Sequence, residues 1–266
     1  MLADYHMHTD FSSDSIAKME DMIHRSIELG LGEIAITDHV DYDYPDQDYP
    51  FLIDFDQYTP VFNELRDKYK ARLPIAFGVE LGLQPHVEKD IKELVNKYNF
   101  DFIIGSTHCA DKIDLYTDGF FVGKTKEQAY LRYFENVLDS VERYDVYDVY
   151  GHLDVIVRYG GYQDNSLEYK DYAEIIDEIL KRIIDHGKGI EINTSGFRYG
   201  IGFTHPRPSI VKRYKQLGGE ILTIGSDAHT PANIAGNFKE GYELARQCGF
   251  KAAAVFRSRE PVFYDI

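Results

Sequence analysis

The 266-residue sequence predicts an α/β fold in which a parallel sheet rolls into a closed or nearly closed barrel. Strand-like apolar runs alternate with helix-like runs from end to end, an order that implies parallel strands joined by crossover helices. Histidines and carboxylates recur where those apolar runs end, and barrels of this kind carry their chemistry at the C-terminal ends of the strands. The length suits one barrel domain over residues 1–266, with no interdomain linker.

The elements follow in order. Residues 2–9 open with a strand-like run. Residues 17–29 then place Met19, Met22, Ile23 and Ile27 at spacing suited to one helical face, and Gly30 and Gly32 supply a stop before a strand over 33–37. Residues 41–54, rich in Tyr, Asp and Pro, form the longest irregular segment and read as a lid over the barrel mouth. Helices are predicted over 56–72, 87–98, 126–143, 171–186, 209–217 and 232–248. Thr125 with Gln128 three residues on reads as a capping box opening the helix over 126–143. Strands are predicted over 75–79, 102–107, 146–151, 190–193 and 221–226, and 252–256 reads as an additional closing strand.

Composition narrows the function. Lys and Arg number 29 against 45 Asp and Glu, a formal charge of −16. That sign disfavours a protein whose affinity comes from neutralising nucleic-acid phosphates, although a small phosphorylated substrate held by local cations remains compatible. The N-terminus lacks the basic and apolar regions of a secretory signal. No apolar stretch approaches the roughly 20 residues of a membrane helix. A cytoplasmic protein without membrane contact is expected. Cys109 and Cys248 are the only cysteines, so neither a disulfide framework nor a thiolate zinc site is supported.

The chemistry concentrates at the strand ends. His6 and His8 stand at i and i+2, so in a strand both imidazoles point to one side and can share a cation. Later runs end at Asp38-His39, Glu80, His108, His152 and Ser226-Asp227-Ala228-His229. Nitrogen and carboxylate donors recurring in this way are what a polynuclear metal site requires, and a metalloenzyme is expected.

Taken together, Asp4-x-His6-x-His8-Thr9, Thr37-Asp38-His39, Glu80, Ser106-Thr107-His108, Gly151-His152-Leu153-Asp154 and Gly225-Ser226-Asp227-Ala228-His229 resemble the PHP (polymerase and histidinol phosphatase) family. The motifs run in the family's order from residue 2 to residue 229. Within the family the chain looks most like the stand-alone histidinol-phosphate phosphatases of histidine biosynthesis. The resemblance implies a distorted (β/α)7 barrel, TIM-barrel-like, holding two or three divalent cations. Carried over by position, His6, His8, Glu80 and Asp227 would hold the first. Glu80 would bridge to a second held by His108 and His152, and Asp14, His39 and His229 would hold a third. Asp14 departs from those relatives that carry a histidine there. The donor set fits Zn, Mn or Fe.

The reaction can be argued from chemistry alone. Two cations a few ångströms apart can bridge a water, lower its pKa and aim it at an electrophile while neutralising phosphoryl oxygens. Three divalent ions against the carboxylates of Asp14, Glu80 and Asp227 leave a positive surplus suited to a phosphate dianion. Phosphomonoester hydrolysis follows, with hydroxide between the first two cations as nucleophile and Glu80 and Asp227 at its centre; the resemblance makes histidinol phosphate the first substrate to consider. Asp227 or a water on the third cation would supply the proton to the leaving alkoxide. Arg158 and Arg198, with Arg207 a weaker third, are candidates for a phosphate clamp, because guanidinium binds phosphate bidentately. The lid offers Asp41, Asp43, Asp46 and Asp48 among Tyr42, Tyr44 and Tyr49 to a cationic leaving group.

Plainer assignments compete. Asp14 could cap the following helix, and the arginines could be solvated loop residues. Asp4, Asp38 and Asp154 could orient imidazoles or make ordinary structural bonds. His205 could face the barrel mouth but is left outside the main site. Competing functions are a related phosphoesterase acting on nucleotides or nucleic-acid ends, and a non-catalytic metal-binding module.

Overall fold

The computed structural model describes residues 1–46 and 48–266. Its central sheet has seven parallel staves. They are β1 (Ala3–Asp4), β2 (Glu33–Ile36) continued by β3 (His39–Val40), β4 (Ile75–Gly82), β5 (Phe102–Ser106), β8 (Val149–Tyr150), β9 (Gly189–Asn193) and β10 (Leu222–Gly225). Between them lies a small antiparallel hairpin, β6 (Cys109–Ala110) with β7 (Ile113–Asp114). Tyr5 donates its backbone N–H to Ile224, and Met7 bridges Ala228 in parallel, so β1 meets β10 and the barrel nearly closes.

Crossover helices pack outside: α1 (Met19–Glu28), α2 (Phe55–Tyr69), α3 (Glu88–Lys97), α4 (Lys126–Arg143), α5 (Ala173–Asp185), α7 (Pro208–Gln216) and α8 (Phe238–Gln247). One short turn, α6 (Ser195–Arg198), follows β9 directly. The predicted capping box is present: Thr125 accepts from the Gln128 backbone while the Gln128 side chain reaches back to Thr125 N–H. The predicted helix over 232–248 begins only at Phe238. Upstream of it, Ala235 N–H is taken by Asp4, and the Gly236 carbonyl accepts from Thr194, so these backbone groups are bound outside a helix.

The predicted closing strand over 252–256 has a different role. It pairs antiparallel with β12 (Glu260–Asp265) as β11 (Ala252–Arg257), separate from the barrel sheet. Its Ala254, Val255 and Phe256 pack with Ala3, Tyr5, Ala35, Ala76, Phe102 and Val149, filling the barrel beside the early residues of its strands. Arg257 pairs bidentately with Glu33, which also accepts from the Tyr5 hydroxyl, and this fastens the plug. With that end filled, the opposite end, where the strands finish, is left for chemistry.

Candidate metal centre

Strand alternation builds the site. β4 is buried along all eight residues, and it carries Glu80 two residues before its end. β3 pairs His39 directly against Glu80. His6 and His8 leave β1 with ring centroids 5.1 Å apart, both fully buried. His108 and His152 follow β5 and β8, and Asp227 and His229 follow β10. Asp227 has φ 54°, a left-handed conformation that Asp tolerates better than most residues and that often marks functional sites.

Glu80 lies between two nests of imidazoles. Its Oε2 is 3.1 Å from His6 Nε2, 3.5 Å from His8 Nε2 and 3.1 Å from His39 Nδ1. Its Oε1 is 2.9 Å from His152 Nε2 and 3.3 Å from His108 Nε2, and it accepts from Ser106 Oγ at 2.6 Å. Asp227 Oδ1 lies 3.5 Å from His8 Nε2 and 3.8 Å from His6 Nε2. Beside this group Asp14 Oδ2 is 2.9 Å from His229 Nε2 and 3.7 Å from His39 Nε2. Asp14 makes no cap to α1, whose N-cap residue is Lys18.

The donor set passes a physical test for cations. His6 Nε2, His8 Nε2, His39 Nδ1 and Glu80 Oε2 are buried without hydrogen-bond partners. Orphaned polar atoms are costly unless something satisfies them. Their separations are those of ligands sharing an ion with bonds of about 2.0–2.2 Å. His6, His8 and Glu80 form one such group, Glu80, His108 and His152 a second, and His8, His39 and His229 a third. Burial alone would raise the carboxyls of Glu80 and Asp227, yet the surrounding imidazoles hold both well below the usual range. Burial depresses His8 well below its ordinary value, with His229 and His39 adding to the effect.

Burial would also lower His39, but Glu80 and Asp14 hold it up at about 9. A cation at His39 must therefore displace a proton throughout the neutral range. Apparent affinity at that position is expected to fall as the pH drops from 9 to 7, because protons compete for His39 and for His229, which Asp14 and Asp227 also hold up. Competition titrations with a chromophoric chelator at pH 7 and pH 9 check this, and equal affinities at the two values would contradict it.

Several supporting groups carry no motif in the sequence. Glu191, buried in β9, accepts from His6 Nδ1 at 2.7 Å with one oxygen and from the His152 backbone N–H at 3.0 Å with the other. Asn193, two residues on and on the same face, donates to Glu191 at 3.1 Å. An acid in an otherwise apolar buried strand was the available signal. Gly225 is required beside them, because a Cβ there would collide with Glu191 and His6. Glu191→Gln should weaken metal affinity roughly 10–100-fold, as loss of a partner to a ligating imidazole commonly does. Equilibrium dialysis against buffered zinc checks the shift.

Asp41 sits differently from its expected place among lid carboxylates. It is buried, and its Oδ1 accepts from His108 Nδ1 at 2.7 Å, so it orients an imidazole inside the site. A side chain on Gly82 would occupy its position. The remaining lid passes Phe51 edge-on to His39 at 4.9 Å. Asp43 pairs with His86. Gln47 of the predicted lid lies outside the described residues.

The three flanking aspartates divide. Asp4 accepts from Ser226 N–H and Oγ and from Ala235 N–H, tying β1 to the loop after β10 and touching no imidazole ring. Asp38 accepts from Thr9 and from Ser12 Oγ, and the same Ser12 oxygen is 3.3 Å from His8 Nδ1. Asp154 does orient an imidazole, that of His205, at 2.7 Å.

The arginines also differ. Arg158 is half-buried, with Nη2 on Ser195 Oγ and 3.7 Å from Asp227 Oδ2, and its guanidinium lies 4.2 Å over the Tyr199 ring. Arg198 donates to the backbone carbonyls of Ser226 and Asp227, at 3.1 and 2.7 Å. Arg207 packs on Phe203, with Nε 3.5 Å from Asp154 Oδ2 and Nη2 buried without a hydrogen-bond partner.

Comparison with known proteins completes the picture. Residues 4–195 match the PHP domain family. The chain belongs to the PHP domain family. It is 35% identical over 265 residues, all of this chain and 97% of the relative, to the probable histidinol-phosphatase of Clostridium acetobutylicum. It is 32% identical to the histidinol-phosphatase of Lactococcus lactis, over 95% of this chain and 93% of that one. A crystal structure of the Lactococcus lactis histidinol phosphate phosphatase complexed with zinc, L-histidinol and phosphate superposes with a TM-score of 0.92. That likeness covers 98% of both chains at 31% identity, so the family's barrel is shared nearly from end to end.

Proposed function

We propose that this PHP-domain chain, acting as one barrel domain over residues 1–266, hydrolyses L-histidinol phosphate to L-histidinol and phosphate in histidine biosynthesis. The observation that carries the reading is Glu80, one carboxylate with an oxygen in each of two imidazole nests. Relatives named as histidinol-phosphatases across the full chain support the substrate, as does a near-superposable structure holding zinc, L-histidinol and phosphate. The net charge of −16 favours a small phosphorylated substrate over nucleic acid. Among the described residues no helix is long and apolar enough to cross a membrane, and a cytoplasmic location accords with this reading.

Two or three divalent ions, zinc, manganese or iron, would be held by His6, His8, Glu80 and Asp227, by Glu80, His108 and His152, and by Asp14, His39 and His229. When bound, such ions supply Lewis acidity at the phosphoryl oxygens and lower the pKa of water. The chain's own groups do the rest. Arg158 presents Nη2 beside Asp227, where its charge can hold a phosphoryl oxygen. Arg207, whose Nη2 is buried without a hydrogen-bond partner, is a further donor to that group. Arg198 steadies the Asp227 turn through its carbonyls and lends charge nearby. Asp227 is ionised at rest and accepts a proton from the attacking water, then passes it to the leaving alkoxide as the ester P–O bond breaks.

Phosphate release by metal-loaded protein from L-histidinol phosphate, nucleoside monophosphates and a 5′-phosphorylated oligonucleotide tests this. Turnover of histidinol phosphate well above the others is expected. Preference for a nucleotide or oligonucleotide would overturn the substrate. No release from any ester with zinc, manganese or iron would favour a non-catalytic module.

A further inference from the structure

The loop after β9 folds back on itself. Asn193 and His205 exchange both backbone hydrogen bonds, at 2.7 and 2.8 Å, which returns His205 to the strand end beneath Arg158. His205 is fully buried, and both ring nitrogens are engaged. Arg158 Nε donates to His205 Nε2 at 3.0 Å. An arginine Nε–H can only donate, so Nε2 is the acceptor and the ring proton sits on Nδ1. Nδ1 in turn donates to Asp154 Oδ1 at 2.7 Å. Burial, with the Arg158 charge second, pushes His205 down to about 4, which agrees with a neutral ring. Asp154 is kept below its ordinary value by His205 despite burial, and its Oδ2 is held by Arg207 N–H at 2.9 Å.

We infer that His205 is a positioning residue that aims the Arg158 guanidinium at the phosphoryl group. The inference rests on the reading of Arg158 as phosphate clamp. With both nitrogens bound, His205 is in no state to ligate a cation. Its contact at Nε and the Tyr199 ring under the guanidinium fix the plane of Arg158 and leave its outer edge toward Ser195 and Asp227. A neutral imidazole also serves better here than a carboxylate. It anchors Nε without cancelling the charge that a phosphate needs, and Asp154 is kept one residue removed from the fork. A guanidinium held in place beforehand loses less freedom on binding phosphate.

The test reads competitive inhibition by inorganic phosphate on the full-length, metal-loaded protein, with p-nitrophenyl phosphate as reporter. His205→Phe keeps the ring volume and removes the acceptor, and His205→Gln offers an amide oxygen to Arg158 Nε. H205F should raise the phosphate inhibition constant roughly tenfold, the loss of one charge-assisted hydrogen bond. Metal content should be unchanged, and H205Q should recover most of the affinity. In an Arg158→Ala background H205F should add almost nothing, because the effect travels through Arg158. If H205F does not fold, His205→Asn, too short to reach Arg158 while retaining a partner for Asp154, takes its place in the cycle. Unchanged phosphate affinity in H205F while R158A weakens it would overturn the inference and leave the clamp standing. Unchanged affinity in both would remove the clamp. An equal loss in H205F with or without Arg158 would make His205 structural.

Discussion

Glu80→Gln is expected to reduce kcat/KM by about a thousandfold or more, because the substitution removes a buried carboxylate that places one oxygen in each imidazole nest. The change is nearly isosteric, so packing in β4 survives. What is lost is charge at a place where His6, His8 and His39 face one oxygen and His108 and His152 the other. A neutral amide offers one oxygen and one NH2, and the NH2 would point at imidazole nitrogens that a cation should claim. Bound metal should therefore fall by at least one equivalent on elemental analysis alongside the lost turnover. Full activity with full metal content would mean that Glu80 is a structural acid.

Arg158→Ala should act on the substrate and spare the metals. Its guanidinium is half-buried and close to Asp227, so truncation removes a charge-assisted contact to phosphate worth about 2–3 kcal/mol. That corresponds to an increase in KM of roughly 30- to 140-fold. Steady-state kinetics with parallel metal analysis separate the outcomes: KM up with metal retained supports the clamp, whereas metal loss would assign Arg158 to holding Asp227. Arg198→Ala serves as the contrast. Two of its nitrogens already hold the carbonyls of Ser226 and Asp227, so kcat should suffer as the left-handed Asp227 turn loosens.

Much of this site could be read from the chain because strand ends are informative. A His-x-His pair closing the first apolar run, and acids or imidazoles closing the later runs, gain a common destination once the strands are parallel. Glu191 is hard to read because it sits inside its strand, where only its charge among Ile190, Ile192 and Gly189 marks it. The acidic, aromatic neighbours of Asp41 place it in the lid by sequence, and nothing local announces that Gly82 leaves room for it. His205 reaches the site by a loop whose return depends on pairing with Asn193, a contact with no sequence periodicity. The hairpin of β11 and β12 looks like a single closing strand in sequence for a related reason. Its turn runs through Ser258 and Arg259, both at positive φ, without the Asn or Gly that usually signals such a turn.

Anomalous scattering from crystals of the zinc-loaded protein, collected on both sides of the zinc edge, tests the central claim most directly. The account predicts at least two peaks, one among His6, His8, Glu80 and Asp227 and one among Glu80, His108 and His152, with Glu80 touching both. Crystals saturated with zinc that show no peak at Glu80, or zinc bound only at surface carboxylates, would contradict it.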